Sequence, residues 1–201
     1  MFISFEGTEG VGKSTLIQKI HAHFEQLGRE VVFTREPGGT PLAERIRDLL
    51  LAVNHDERMC ADTELLLVYA ARSQHLSQVI LPALQQGKIV LSDRFCDASF
   101  AYQVMGRGLD ASKLELLNQN FVSSMPDVTF WLDAPIELGM SRARARGELD
   151  RFEQEKLEFF ARVREGYRIL HEKNPERMIR LDATQSAEHV FEQAMQALLT
   201  M

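Results

Sequence analysis

The sequence has no long hydrophobic run, little cysteine and no repetitive composition, and each absence excludes a class of protein. No apolar run approaches the roughly 18 residues needed to span a bilayer, and no basic segment precedes the first apolar stretch. We therefore expect neither a membrane partner nor a secretion leader. The two cysteines are too few for a disulfide framework, which indicates a reducing, cytoplasmic location. The 12 glycines and 6 prolines are scattered, which excludes collagen-like and linker-like chains.

Positive charge is also scarce. The 23 lysines and arginines are outnumbered by 29 acidic residues, and the net charge of −6 argues against a nucleic-acid partner. A chain of 201 residues, 45% of them hydrophobic and 26% charged, suits one globular domain of roughly 100–200 residues. We expect a single domain over residues 1–201. An acidic protein can bind phosphate groups only locally, with a few well-placed cations.

Short apolar segments alternate with helical segments along the chain. The apolar segments predict five strands, over residues 1–6, 29–34, 88–92, 128–132 and 178–181. The intervening segments have helical periodicity, for example over residues 13–27, 62–84, 97–103 and 187–199. This alternation predicts an α/β fold with a five-stranded parallel sheet that helices cover on both faces. In such sheets the ligand site lies beyond the carboxyl ends of the strands.

The loop after the first strand has the phosphate-binding pattern G-x-x-x-x-G-K-[ST]. We predict that all nine of its residues contact ATP: Gly7, Thr8, Glu9, Gly10, Val11, Gly12, Lys13, Ser14 and Thr15. The glycines let backbone N–H groups turn toward phosphate oxygens, and Lys13 brings a cation to the β- and γ-phosphates. The Ser14 hydroxyl can bind Mg²⁺. Because Lys13 opens the following helix, we expect it at the surface.

The acidic residue of this loop and two further strand ends carry candidate site residues. Glu9 either faces solvent or accepts a hydrogen bond from a sugar hydroxyl. Asp93 follows the strand over 88–92 and can hold a water of Mg²⁺, while Arg94 beside it suits a bidentate phosphate contact. Asp133 competes with Asp93 for the metal role, although Pro135 closely follows it and a helix cap fits equally well.

Arginines crowd the polar segment over residues 142–153. Arg142 and Arg146 lie four residues apart and share a helix face, whereas Arg144 points elsewhere. An exposed, charged helix end is the usual explanation for such a run. However, Lys13 is the one basic residue of the phosphate loop, so we predict that residues 142–153 form a lid that brings a second cation to ATP.

Together these motifs resemble the bacterial thymidylate kinase family over nearly the whole chain. The matching segments are the phosphate loop and residues 34–40, 69–72, 93–95, 101–103, 106–108 and 142–153. The resemblance implies a three-layer P-loop NTPase fold and a homodimer that transfers the γ-phosphoryl group of ATP to dTMP, with Mg²⁺, to give dTDP. Alternatives are a P-loop nucleotide kinase of different base specificity and a GTP-dependent switch protein. The second conflicts with the absence of the guanine-binding pattern Asn-Lys-x-Asp.

The resemblance also implies a role for individual residues. The implied dTMP-binding residues are Glu9, Arg35, Glu36, Arg47, Val68, Arg72, Arg94, Ser99, Tyr102 and Gln103. Arg35, Arg47 and Arg94 would contact the acceptor phosphate, with Glu36 near the metal. Arg72 would contact the edge of thymine, beside Ser99 and Gln103. Tyr102 would crowd a ribose 2′-hydroxyl, and Arg142 would flank adenine.

Catalysis is then expected to rest on Lys13, Asp93, Arg94 and Arg146, with Ser14 and Asp93 as the magnesium-binding residues. One departure affects the acceptor site. Val68 stands where many members of the family carry a phenylalanine that stacks on thymine, so either Val68 or Tyr69 would contact the base.

Overall fold

The computed structural model describes residues 1–53, 57–145 and 150–199 of the chain. Over these ranges one sheet contains the five strands β1 (Phe2–Glu6), β2 (Val31–Arg35), β3 (Ile89–Asp93), β4 (Val128–Asp133) and β5 (Met178–Asp182). The strand order is β2-β3-β1-β4-β5, and every neighbouring pair is parallel. The predicted parallel sheet is therefore confirmed, with strand ends that differ by two residues at most.

Helices follow the strands in the order that the alternation predicts. The α-helices are α1 (Lys13–Gln26), α2 (Pro41–Leu51), α3 (Ala61–His75), α4 (Leu81–Gln85), α5 (Cys96–Ser99), α6 (Ala111–Phe121), α7 (Ile136–Arg144), α8 (Leu157–Lys173) and α9 (Ala187–Leu199). Local chemistry sets some of these ends. For example, α2 begins at Pro41 because Thr40 Oγ1 accepts a hydrogen bond from Ala43 N at 3.1 Å.

Two predicted helices contain π-helical segments instead of continuing as α-helix. The helix expected over residues 62–84 widens at Leu76–Ile80, between α3 and α4. This widening ends two residues before Pro82, which has no N–H to donate to the carbonyl of Gln78. The helix expected over residues 97–103 is α5 followed by a π-helical segment over Phe100–Gly106.

Side chains alternate between the two faces of the sheet. On β1, Ile3 and Phe5 join the apolar cluster with α1 and α9, whereas Phe2 joins a second cluster with the helices over residues 76–83. Helices thus cover both faces, as predicted. Over the described ranges, no helix combines the length and the apolar character that crossing a membrane requires.

The strand register brings the candidate site residues to one edge of the sheet. Phe5 of β1 pairs with Asp93 of β3, and Arg35 of β2 also pairs with Asp93. The phosphate loop follows β1 directly, so this loop, Asp93 and the residues after β2 meet at the carboxyl ends of adjacent parallel strands.

Candidate active site

The phosphate loop is built from glycines in conformations that other residues rarely adopt. Gly7 has φ 137°, Gly10 has φ 68° and Gly12, which caps α1, has φ 98°. Gly10 also packs against α7, where a Cβ atom would lie 2.0 Å from the carbonyl oxygen of Gly139. A basic side chain therefore cannot replace Gly10 without moving α7.

Lys13 is buried, which makes the prediction of a surface position wrong. Its Nζ donates hydrogen bonds to the carbonyl oxygens of Thr8 at 3.0 Å and Gly7 at 3.3 Å. Burial lowers the pKa of Lys13, and the nearby charge of Arg94 lowers it further. The sequence places Lys13 at the start of a helix but does not show that the loop folds back over its side chain.

A cavity of about 680 Å³ opens beside this loop. Most of the predicted ATP-binding residues line it: Glu9, Gly10, Val11, Gly12, Lys13, Ser14, Thr15 and Arg142. Gly7 and Thr8 do not line this cavity, and their carbonyl oxygens accept hydrogen bonds from Lys13. The far wall comes from Ala183, Gln185, Ala187 and Val190, which the sequence analysis missed because they carry no charge and belong to no motif. We call this space the donor cavity.

A second, narrower cavity of about 100 Å³ lies next to it, which we call the acceptor cavity. Its walls include nine of the predicted dTMP-binding residues: Glu9, Glu36, Arg47, Val68, Arg72, Arg94, Ser99, Tyr102 and Gln103. The tenth, Arg35, lines the donor cavity and pairs with Glu44 at 2.7 Å. Val68 lines the acceptor cavity and Tyr69 does not, because the Tyr69 hydroxyl donates to Asn118 Oδ1 at 2.7 Å. The residues missed here include Phe95, Asp150 and Phe152.

The two cavities meet at a shared wall. Glu9, Glu36, Arg47, Arg94 and Asp150 line both. Two ligands that fill the cavities would therefore approach each other beside the guanidinium groups of Arg47 and Arg94. Such a meeting point suits the transfer of a charged group between them.

Arg94 is fixed at this meeting point by an unusual backbone and by four side-chain hydrogen bonds. Its φ of 71° lies in the left-handed region, which is costly for a residue with a Cβ atom. Arg94 Nη1 donates to Gly7 O at 2.8 Å and to Tyr167 OH at 3.1 Å. Arg94 Nη2 donates to Glu9 Oε1 at 2.5 Å and to Tyr102 OH at 3.0 Å. Glu9 is thus engaged inside the site, and 19% of its side chain remains exposed.

Glu6 stabilises this arrangement with two hydrogen bonds. One oxygen of its carboxyl accepts from the backbone N–H of Phe95 at 2.7 Å, and the other accepts from Tyr167 OH at 2.8 Å. Burial, and then the charge of Asp97, raise the pKa of Glu6 to about 8. Glu6 therefore supports both the strained turn at Arg94 and the tyrosine that contacts its guanidinium. The sequence analysis missed this role because Glu6 looked like the polar end of a strand.

Arg72 is held in the acceptor wall by a buried carboxylate. Glu36 Oε2 accepts from Arg72 Nε at 2.7 Å, and Glu36 Oε1 lies 3.0 Å from His75 Nδ1. Arg72 Nη2 donates to Phe95 O at 3.1 Å. Glu36 therefore orients Arg72, a contact that the sequence analysis did not predict.

Some buried polar atoms of cavity-lining residues lack a hydrogen-bond partner among the described residues. In the described part of the chain, no hydrogen-bond partner is present for Arg72 Nη1, Asp93 Oδ1 or Ser99 Oγ. Leaving such atoms unpaired is costly, so they indicate where polar ligand atoms belong. Asp93 and Ser14 both line the donor cavity. Magnesium prefers oxygen ligands, and the carboxylate of Asp93 and the hydroxyl of Ser14 fit that preference.

Asp133 has neither of the roles considered for it. Its carboxylate pairs with Arg164 and Arg180, each at 2.7 Å, and the cap position of α7 belongs to Pro135. Of the lid residues, Arg142 lines the donor cavity, and Arg144 is exposed. Arg146, the predicted catalytic lid residue, lies outside the described residues.

Comparison with known proteins gives the same assignment as the motifs. A profile of the thymidylate kinase family matches residues 5–194. The chain belongs to the thymidylate kinase family. It is 76% identical to a thymidylate kinase of Acinetobacter baumannii (strain AYE), over 98% of this chain and 100% of the relative. It is 54% identical to a thymidylate kinase of Pseudomonas putida (strain GB-1), over 94% and 90% of the two chains.

The fold agrees with that of a solved thymidylate kinase. The crystal structure of the enzyme from Ehrlichia chaffeensis matches with a TM-score of 0.80 and 34% identity, over 98% of both chains. The predicted P-loop NTPase architecture is thereby confirmed for this member of the thymidylate kinase family.

Proposed function

We propose that this chain transfers the γ-phosphoryl group of ATP to dTMP and releases dTDP and ADP in dTTP synthesis. The observation that carries the proposal is the pair of cavities that meet at Glu9, Arg47 and Arg94. One cavity begins at a phosphate-binding loop, and the other is lined by Arg72, whose buried Nη1 atom has no hydrogen-bond partner among the described residues. Family membership supports the choice of ATP and dTMP as substrates.

Charge neutralisation is the main chemical task of this site. The acceptor phosphate has a second pKa of about 6, so it is mostly a dianion at neutral pH and needs no general base. Lys13, Arg47 and Arg94 offset the repulsion between the two anionic phosphate groups. We propose Arg146 as a further cation. Mg²⁺, when bound near Ser14 and Asp93, would supply additional positive charge at the phosphates of ATP.

Base selection follows from the donors in the acceptor cavity. Arg72 Nη1 is buried without a partner in the described part of the chain, and a guanidinium can donate hydrogen bonds but cannot accept them. It therefore favours a carbonyl oxygen on the base, as thymine offers, over the amino group that cytosine has in the equivalent place. Ser99 Oγ can contact a second polar atom of the same base.

The experiment that tests the proposal is an assay of ADP release with ATP, Mg²⁺ and one acceptor at a time. The acceptors are dTMP, dUMP, UMP, CMP, AMP and GMP. We expect dTMP to have the highest kcat/KM, above CMP and AMP by several orders of magnitude, because the wrong base leaves buried donors unpaired. Equal kcat/KM for dTMP and AMP would assign the chain to a nucleotide kinase of different base specificity.

We also propose that the chain forms a homodimer. Leu66 on α3 and Leu116 and Phe121 on α6 are each more than half exposed, and a second copy would remove them from water. Light scattering on the purified protein tests this. We expect a dimer for the natural sequence, a monomer for Leu116→Glu, and a dimer for the control Leu199→Glu on α9. A monomer for the natural sequence would refute the proposal.

A further inference from the structure

The acceptor cavity lacks an aromatic ring at Val68, but Phe152 lines it in addition to Phe95 and Tyr102. Phe152 lines this cavity together with Val68 and Tyr102, although it lies in the segment that begins at residue 150 and not on α3. Its ring meets the ring of Tyr102 edge to face, with centroids 5.9 Å apart and planes at 80°. An aromatic surface thus borders the space beside the small side chain of Val68.

Guanidinium groups fix the ring of Phe152. The Cζ atom of Arg151 lies 4.5 Å from the ring centroid, and that of Arg107 lies 5.5 Å from it. Both arginines pair with the same buried carboxylate, since Arg151 Nη1 lies 2.8 Å and Arg107 Nη2 lies 3.0 Å from Glu64 Oε2. The ring is therefore held in place before any ligand binds.

The same carboxylate connects Phe152 to the base-contacting side of the cavity. Glu64 Oε1 accepts a hydrogen bond from Gln103 Nε2 at 2.9 Å, and Glu64 lies one helical turn before Val68 on α3. The side chain of Arg151 is attached to α2 as well, since its Nε donates to Leu50 O at 2.7 Å. Phe152, Gln103 and Val68 thus belong to one hydrogen-bonded and packed part of the wall of the acceptor cavity.

We propose that Phe152 is a specificity-determining residue that supplies the aromatic contact for the base of the acceptor nucleotide, in place of a ring at Val68. The proposal rests on the proposed function, because it assumes a nucleotide in the acceptor cavity. An aromatic side chain against a base typically contributes about tenfold or more to affinity. The contact exists in both ground and transition states, so it acts on binding and not on the chemical step.

The first test replaces the ring while keeping an apolar side chain. For Phe152→Leu, we expect the Kd of dTMP by calorimetry and its KM to rise about tenfold, with kcat and the KM of ATP within about twofold of the original. Binding of 2-deoxyribose 5-phosphate, which has the sugar and phosphate but no base, should not change. The matched control Phe33→Leu removes an exposed ring on β2 and should change none of these values.

The second test moves the aromatic ring from position 152 to position 68. Val68→Phe alone should weaken dTMP binding, because the narrow cavity already contains the ring of Phe152. The same change in the Phe152→Leu background should restore the Kd to within about threefold of the original. Independent effects of the two changes, or equal losses for dTMP and 2-deoxyribose 5-phosphate, would overturn the proposal. If the unaltered protein does not phosphorylate dTMP, the proposed function itself fails, which is a different result.

Discussion

At the scale of single residues, Lys13 combines a positive charge with burial, since 8% of the residue is exposed. Its Nζ contacts two carbonyl oxygens and, within the described ranges, pairs with no carboxylate, and burial lowers its pKa. A phosphate group is a stronger partner for this ammonium than the carbonyl oxygens of the loop. The geometry therefore prepares Lys13 for an anionic ligand.

The first prediction concerns this lysine. Lys13→Met keeps the length of the side chain but removes the charge. We expect kcat to fall at least about a hundredfold, since one preorganised donor is typically worth 10²–10³. The melting temperature should change by only a few degrees, because an apolar replacement for a buried charge is often neutral. Steady-state kinetics and calorimetry measure both, and a variant that keeps more than a tenth of kcat would contradict the assignment.

The second prediction concerns the pH dependence of stability that Glu6 produces. The folded protein holds the Glu6 proton up to a pKa of about 8, whereas the ordinary value of 4.5 applies after unfolding. Between these values the folded state binds more protons than the unfolded state, so the free energy of unfolding falls as pH rises. Glu6→Gln cannot ionise and lacks this decline.

Urea denaturation of both proteins at pH 5, 6, 7 and 8 measures the effect. The stability of Glu6→Gln relative to the original should increase steadily from pH 5 to pH 8, and level off above the folded pKa. Other titrating groups are common to both proteins and cancel in the difference. A difference that stays constant over this range would show that Glu6 is already ionised in the folded protein.

The third prediction concerns sugar selection by Tyr102. Its hydroxyl donates to Glu9 Oε1 at 2.9 Å and accepts from Arg94 Nη2, at the point where the sugar of the acceptor would lie. In Tyr102→Phe we expect the preference for dTMP over its ribonucleotide analogue to fall about tenfold, because space and a hydrogen-bond acceptor become available to a 2′-hydroxyl. The control Tyr69→Phe removes a hydroxyl that contacts Asn118 outside both cavities. Equal selectivity ratios for all three proteins would refute this role.

At the scale of elements, the sequence predicts the strands well because β1, β3 and β4 are apolar on both faces, as buried parallel strands must be. The π-helical segments at Leu76–Ile80 and Phe100–Gly106 were not predicted, since a wider turn leaves the apolar pattern nearly unchanged. The phosphate loop was predicted because its chemistry requires fixed residue types at fixed spacing. Ala183 and Val190, which line the donor cavity, belong to no such sequence pattern.

The fourth prediction concerns Arg146, which the sequence analysis predicts to bring a second cation to ATP. Arg142 of α7 lines the donor cavity, and the contact between Gly10 and Gly139 excludes a basic side chain at position 10 of the loop. Arg146→Ala should therefore lower kcat at least about a hundredfold, with a much smaller change in the KM of dTMP. Arg146→Lys should restore little activity, because an ammonium group cannot make a forked contact.

The control for this prediction is the exposed Arg144, two residues before Arg146. Arg144→Ala should cost far less activity when measured by the same kinetics. If Arg144→Ala proves the more damaging change, the lid cation has been assigned to the wrong side chain.

At the scale of the whole molecule, the arrangement of strands β2, β3 and β1 brings the two cavities together. The sequence names most of the residues that line them, because each belongs to a motif with its own chemistry. It does not show which of these residues contact one another. The pairing of Glu36 with His75 and Arg72, the support of Arg94 by Glu6 and Tyr167, and the position of Phe152 arise from packing between distant segments.

The central claim is that a phosphoryl group passes directly between ligands in the two cavities across the wall at Arg94. Incubation with [γ-³²P]ATP and dTMP, followed by separation of the products, tests this claim most directly. We predict that the label appears in dTDP, that its yield equals the ADP released, and that little inorganic phosphate forms. Label that appears as inorganic phosphate at the same rate with and without dTMP would contradict the claim.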